Sequence, residues 1–317
     1  NEAKNLSQNI PLLQKQAYSN FEIILINDAS TDETLTVMES FAENDARIKI
    51  VNVENNEAFW GSKKYALTLG IKKALNKRML FTDADCKPAS HQWLQEMTQE
   101  LDENKQLVLG YGAYQKGKGV LNAIIRFETL MTALQYFSYA KAGIPYMGVG
   151  RNLAYTSALY YENQGFMSHM QVASGDDDLF VNEVATAKNT AICYSEESFT
   201  ISTPKTSFKA WLRQKRRHTS TAKYYKPLHK FLLALYYSTT LFFWVLFTLC
   251  FIFSDWKFTL ALLVFRFLFQ YLIIGKGAIK LKEKNLIPFI PLLELFLVCF
   301  QLSIFISNSS HKTSSWK

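Results

Sequence analysis

Met79-Leu80-Phe81-Thr82-Asp83-Ala84-Asp85-Cys86 is an apolar run that stops on two aspartates. Met79, Leu80 and Phe81 read as a short buried strand. Asp83 and Asp85 are two residues apart, so an extended backbone projects both carboxylates to one side. Such a pair at the carboxyl end of a strand makes a hard, oxygen-rich site, suited to Mg²⁺ or Mn²⁺ bound together with a phosphate. An Asp-x-Asp arises by chance about once in a chain of this length, so its meaning comes from placement. In open α/β sheets the carboxyl edge of the strands is where ligands bind.

The flanking sequence supplies that context. Glu2 to Gln16 reads as a helix, with Leu6, Ile10 and Leu13 at helical spacing. Phe21 to Asn27 is nearly continuous in apolar character, as in a strand covered on both faces. It ends in Asn27-Asp28-Ala29-Ser30-Thr31-Asp32-Glu33-Thr34, where the capping-box spacing of Ser30 and Glu33 predicts a helix to about Ala42. Ile48 to Val53 is the next strand, and Gly61 to Leu75 the helix before the Asp83 strand. Strand–helix alternation of this kind predicts an α/β class with an open, mostly parallel sheet.

Further on, Pro88 to Glu103 reads as a helix, Gln106 to Tyr114 as a strand and Gly119 to Ala140 as a long helix. Gly148 to Tyr155 is a glycine-bearing turn into a strand. Gly175-Asp176-Asp177-Asp178-Leu179 opens a helix on three carboxylates, more than capping requires.

The composition of the last third is different. The chain has 317 residues, 49% hydrophobic, and a net charge of +8, which allows one soluble domain followed by membrane segments. Phe231 to Phe253 carries no charge over about 23 residues, enough to cross a bilayer at ~1.5 Å per residue. Phe258 to Ile274 is a second apolar run, containing Arg266, a residue that costs ~3 kcal/mol at mid-membrane unless it is paired or snorkels. Leu286 to Ile306 is a third, with Pro288, Pro291 and Glu294 inside it. The first run is expected to span, and the other two to span or to form a re-entrant or interfacial pair.

Basic residues gather at Lys205–Lys230 and Lys276–Lys284, beside these runs. That placement points to anionic headgroups of membrane lipid and to a cytoplasmic α/β domain, the two clusters being separated by two crossings. No nucleic-acid-binding motif accompanies the basic residues, so a nucleic-acid partner is not expected. Cys86, Cys193, Cys250 and Cys299 are far apart and predict neither a disulfide framework nor a zinc site. His91, His169, His229 and His311 lack metal-ligand spacing, and Trp60 suits either a sugar pocket or packing.

Taken in order, Asp28, the Asp83/Asp85 pair, Gly175-Asp176-Asp177 and Gln214-Lys215-Arg216-Arg217-His218 resemble the motif set of membrane-anchored inverting glycosyltransferases of family 2. The resemblance runs from about Asn1 to Ala222. It implies the GT-A nucleotide-sugar-binding fold over residues 1–228, with the opening strand missing before Asn1-Glu2. It implies a membrane anchor over 229–317, with spans at 231–253, 258–274 and 286–306. By this resemblance Asp28 contacts the nucleotide base, Lys63 lies near the nucleotide, Asp83 faces the ribose and Asp85 holds Mg²⁺ or Mn²⁺. Asp177 resembles the base that deprotonates the acceptor hydroxyl, with Asp176 its neighbour. Gln214, Arg216 and Arg217 resemble the element that closes over the diphosphate.

The implied reaction moves a sugar from a nucleotide-sugar donor to a lipid-linked or other membrane-proximal saccharide acceptor, by direct displacement. His218 stands where processive polysaccharide synthases of the family carry Trp, which favours transfer of one or a few sugars. The basic stretch around Arg216 also suits a juxtamembrane lipid anchor. A nucleotidyltransferase on a similar fold would release pyrophosphate, and the glycine- and Arg-Lys-rich opening loop of such enzymes is not seen here. An inactive membrane scaffold would have no use for the full carboxylate set.

Overall fold

The computed structural model describes residues 1–54 and 63–310. Trp60, the Gly61-Ser62 start expected for the third helix and His311 lie outside the described residues. Two compact units result, one of Asn1–Gln115 and Tyr136–Pro204, the other of Lys116–Gln135 and 205–310.

In the first unit, helix α1 (Ala3–Gln14) precedes strand β1 (Ile23–Asp28), and helix α2 (Thr34–Asn44) precedes strand β2 (Ile48–Val53). The two strands pair in parallel, Ile23 opposite Ile48 and Asp28 opposite Val53. Leu6 and Ile10 of α1 and Met38 of α2 meet Ile23, Leu25 and Ile48 in one core, the burial that holds these amphipathic elements together. The capping box does not form. Ala29 turns the chain at φ +50, the Ser30 amide donates to Asn27 Oδ1, and Asp32 Oδ1 instead accepts from the Thr34 amide at 3.1 Å. The helix therefore starts three residues later than a Ser30 cap would dictate.

Helix α3 (Lys63–Lys73) packs against β1 so closely that a Cβ on Gly70 would meet Ile26 Cδ1 at 2.3 Å. Strand β3 (Arg78–Phe81) ends before the aspartates, and strand β4 (Cys86–Pro88) begins after them. Asp83 and Asp85 thus sit in a tight turn, closed by the Cys86 amide on the Asp83 carbonyl at 3.0 Å, and not on an extended strand. The expected helix from Pro88 is reduced to α4 (Trp93–Thr98), because Pro88 itself pairs with Thr200 in a sheet.

The expected strand 106–114 breaks into β5 (Leu107–Leu109) and β6 (Gly112–Tyr114). At the break Gly110 lies against Asn152, whose side chain a Cβ would meet at 2.6 Å. Helix α5 (Val120–Lys141), strand β7 (Leu153–Thr156), helices α6 (Ser157–Glu162) and α7 (Asp178–Val184), and strands β8 (Thr190–Ile192) and β9 (Thr200–Ser202) complete the unit, α5 belonging to it from Tyr136 onward.

The sheets are mixed and not mostly parallel. One runs β3-β7-β5-β8, with β7 antiparallel to both neighbours and β5 parallel to β8. The other runs β4-β9-β6 and is antiparallel, then parallel. A strand that reads as apolar carries no signature of its direction, and β7 enters from the Gly148–Gly150 turn in the reverse sense.

The second unit contains α8 (Phe208–Thr219), α9 (Pro227–Phe253), α10 (Trp256–Lys280) and α11 (Ile290–Ser310). Three stretches, Pro227–Phe253, Trp256–Lys280 and Lys284–Ser307, are helices long and apolar enough to cross a membrane, with mean hydropathies of 1.7, 1.9 and 2.3. Each is longer than its apolar run, and the last two, like the first, are long enough to cross by length and composition. The charge of Arg266 is met inside the unit: its guanidinium donates to both Glu294 oxygens at 2.9 Å and lies 4.0 Å over the Phe243 ring. Pairing of this kind removes most of the penalty that an isolated arginine would carry in hydrocarbon.

Candidate active site

The site is built from three chain segments at the carboxyl end of β3, the start of α3 and the start of α7. The turn after β3 brings one donor atom each of Asp83, Asp85 and Cys86 within 4.8 Å of one another. The two carboxylates at that spacing fit a divalent cation as hard oxygen ligands. The Cys86 thiol is pushed up to about 12 by burial and by Asp83 and Asp85 beside it.

Lys63, at the first position of α3, bridges the two sides. Its ammonium lies 2.9 Å from Asp83 and 2.9 Å from Asp176, so those two carboxylate oxygens cannot be farther apart than twice that distance. Burial works against its charge, but Asp176, Asp83 and Asp177 outweigh it and hold the pKa well above the ordinary lysine value.

Gly175 adopts φ +96 and its absent Cβ makes room for Leu179, which lets the chain turn into α7. Asp177 then caps the helix, its Oδ1 accepting from the Asp178 amide at 2.8 Å while its Oδ2 accepts from the Gly150 amide at 2.7 Å. Burial, followed by repulsion from Asp176 and Asp178, pushes the Asp177 carboxyl up to about 7, with Lys63 and the Gly150 amide acting in the other direction. A carboxyl balanced near neutrality can accept a proton and still be ionised at working pH.

Asp83, Asp85, Lys63, Asp176 and Asp177 therefore form one neighbourhood. Asp28 is exposed at the end of β1 and shares no ion pair with that neighbourhood among the described residues. Asn27 fixes its loop, donating from its buried amide to Asn52 at 2.7 Å. Gln214, Arg216 and Arg217 lie on α8 in the second unit. There Ser207 caps the helix start, Trp211 stacks on Phe300 at 4.2 Å, Lys215 pairs with Glu128 and Arg216 donates to the Ser307 carbonyl. Arg216, Arg217 and His218 fall in the last turn, where the helix dipole favours cations.

Three residues not singled out in the sequence have defined places in the first unit. Lys64 is fully buried. Arg151 lies 4.4 Å over the Tyr114 ring and donates to the Gly112 carbonyl at 2.6 Å. Asn152 accepts from the Trp93 indole and donates to the Tyr111 and Ser198 carbonyls, tying the two mixed sheets together. A lysine doublet and an Arg-Asn pair carry no motif, and only the three-dimensional packing sets them apart.

Residues 1–150 match the model of the family described as Glycosyl transferase family 2, and this stretch is a family 2 glycosyltransferase domain. The uncharacterized glycosyltransferase EpsJ of Bacillus subtilis (strain 168) is 33% identical over 107 residues, 34% of this chain and 29% of that protein. Glycosyltransferase GlyG of Streptococcus pneumoniae serotype 4 is 30% identical over 122 residues, 38% of each chain. The matches thus span only about a third of these relatives' own length. Among solved structures, the mannosyltransferase PcManGT from Pyrobaculum calidifontis, in complex with GDP-Man and Mn²⁺, superposes with a TM-score of 0.56 at 18% identity, over 93% of this chain and 84% of that one. The fold is therefore GT-A, followed by apolar helices of membrane-spanning length.

Proposed function

We propose that the chain is a membrane-anchored, metal-dependent inverting glycosyltransferase that moves a sugar from a nucleoside-diphosphate sugar to a hydroxyl of a lipid-linked or membrane-proximal acceptor. The observation that carries this reading is the Asp177 carboxyl, raised by burial and like charge, standing across Lys63 from the Asp83/Asp85 pair. The ion pairs of Lys63 with Asp83 and Asp176 support a proton acceptor and a phosphate-side cation site lying close together.

Asp85, with Asp83 and Cys86 beside it, would hold Mg²⁺ or Mn²⁺, which when bound supplies positive charge to the diphosphate. Asp28 and Asp83 are assigned to the base and ribose sides of the nucleotide, and Lys63 to its phosphates. Asp177 takes the proton of the acceptor hydroxyl. The acceptor oxygen forms the new bond to the anomeric carbon as the bond from that carbon to the phosphate oxygen breaks. The electron pair leaves with the nucleoside diphosphate, and configuration inverts without a covalent intermediate. Gln214, Arg216 and Arg217 are assigned to the diphosphate, and the flanking lysines to anionic lipid on the cytoplasmic face.

A screen of nucleotide sugars with the full chain in nanodiscs tests the reading. Release of nucleoside diphosphate that requires Mg²⁺ or Mn²⁺ is expected from at least one donor. Release of pyrophosphate, or turnover unaffected by Asp85→Ala, contradicts it.

A further inference from the structure

Lys64 follows Lys63 at the start of α3 yet points to a different task. The residue is 1% exposed, and its ammonium donates to the carbonyls of His169 at 2.8 Å, Val172 at 2.7 Å and Ser174 at 2.7 Å. Three N–H groups meet three acceptors, so the cation is satisfied without any carboxylate in contact. Between His169 and Asp178 the chain has no helix or strand of its own. It then passes through Gly175, at φ +96, into Asp176 and Asp177. Burying an ammonium costs several kcal/mol, and here the hydrogen bonds that offset it come from backbone oxygens of one irregular segment, with Asp176, Asp178 and Asp177 adding attraction at longer range. An apolar residue would fill the same space but take the ammonium donor away from the Val172 and Ser174 carbonyls, while the His169 carbonyl would keep only the Val172 amide.

The two lysines share the first turn of α3. One holds Asp83 and Asp176 together, and the other holds the segment that delivers Asp176. We propose that Lys64 is a positioning residue for sugar transfer: by suspending three carbonyls of the 169–174 segment from one ammonium, it sets the Asp176–Asp177 pair opposite Asp83 and Asp85. The proposal rests on the functional reading above. Burial lowers the Lys64 pKa to about 8, against the attraction of Asp176, Asp178 and Asp177.

The test compares wild type with Lys64→Met, of similar length but without donors, and Lys64→Arg, whose planar fork cannot meet three converging carbonyls. All are assayed as the full chain in nanodiscs. Displacement of a base by a fraction of an ångström costs up to about 10²-fold in rate, so kcat is expected to fall by about that factor in both variants. Donor KM and calorimetric affinity for the nucleoside diphosphate are expected to stay within about two-fold, since donor contacts are untouched. Amide hydrogen exchange should accelerate over 170–177 and not over 23–53.

Unchanged kcat in Lys64→Met with wild-type transfer intact overturns the proposal alone. So does exchange that accelerates throughout with loss of nucleotide binding, which would make Lys64 a general stability residue. Absence of transfer by the wild type from every donor tested overturns the functional reading itself, and the proposal with it.

Discussion

Arg266 and Glu294 in the apolar helices form a closed pair, one guanidinium on one carboxylate, as do Arg126 and the nearly fully buried Glu283. Lys63 in the family 2 domain is instead shared between Asp83 and Asp176 and is also raised by Asp177, while Asp85 adds further negative charge beside Cys86. The first arrangement is neutral, with each charge met by one of opposite sign. The second holds an excess of negative charge, which together with burial pushes the Asp177 carboxyl upward and would, on the proposed function, be relieved by a bound divalent cation. Balanced pairs close on themselves, whereas an unbalanced cluster is a candidate place for chemistry.

Asp177→Asn should break the unbalanced cluster most severely. Removing a general base is expected to lower kcat by about 10²–10⁴-fold, read as nucleoside diphosphate release, while nucleotide binding persists. Asp85→Ala, or a chelator added to the wild type, should abolish turnover that Mn²⁺ or Mg²⁺ restores only to the unmutated chain, as several kcal/mol of charge stabilisation is lost. A chelator-insensitive wild type would sink the metal assignment.

The closed pair should behave oppositely. Glu294→Leu alone strands Arg266 and is expected to cost about 3–5 kcal/mol of stability, measured by unfolding in bicelles. Replacing Arg266 and Glu294 together with leucine should be nearly neutral, and neither change should alter kcat in the folded fraction. If the double replacement abolished transfer at normal stability, the pair would belong to the site and the contrast would fail. The smallest effect is expected from Asp177→Asn on stability at pH 8. Relief of like-charge repulsion should raise Tm slightly, because the native carboxyl is ionised there at a cost the variant does not carry.

Much of this contrast is legible in the amino-acid sequence itself. The apolar runs locate the three membrane-length helices, although the first begins four residues before its run and the second ends six residues beyond, since polar turns extend a helix without leaving an apolar signal. Asp83, Asp85 and Asp177 are recognisable because carboxylates interrupt apolar strands or exceed capping needs. Strand direction is not legible: Leu153 to Thr156 is equally apolar whichever way it runs, and its antiparallel place between β3 and β5 is set by long-range pairing. The break at Gly110 and the short α4 escape for the same reason, being fixed by Asn152 and by the Pro88–Thr200 pairing. Lys64 escapes because nothing local distinguishes a buried lysine from its neighbour, and its three carbonyl partners lie more than a hundred residues away.

The most direct measurement is the pH dependence of nucleoside diphosphate release, at saturating acceptor, for the wild type and Asp177→Asn. With the Asp177 carboxyl raised to about 7, the base is competent above that pH and is lost below it by protonation. The wild-type rate is expected to fall by about ten-fold per unit below neutrality, a limb absent from the residual activity of the variant. A variant that keeps wild-type turnover together with the same acidic limb would show that another group takes the acceptor proton, and would contradict the assignment of this cluster as the transfer site.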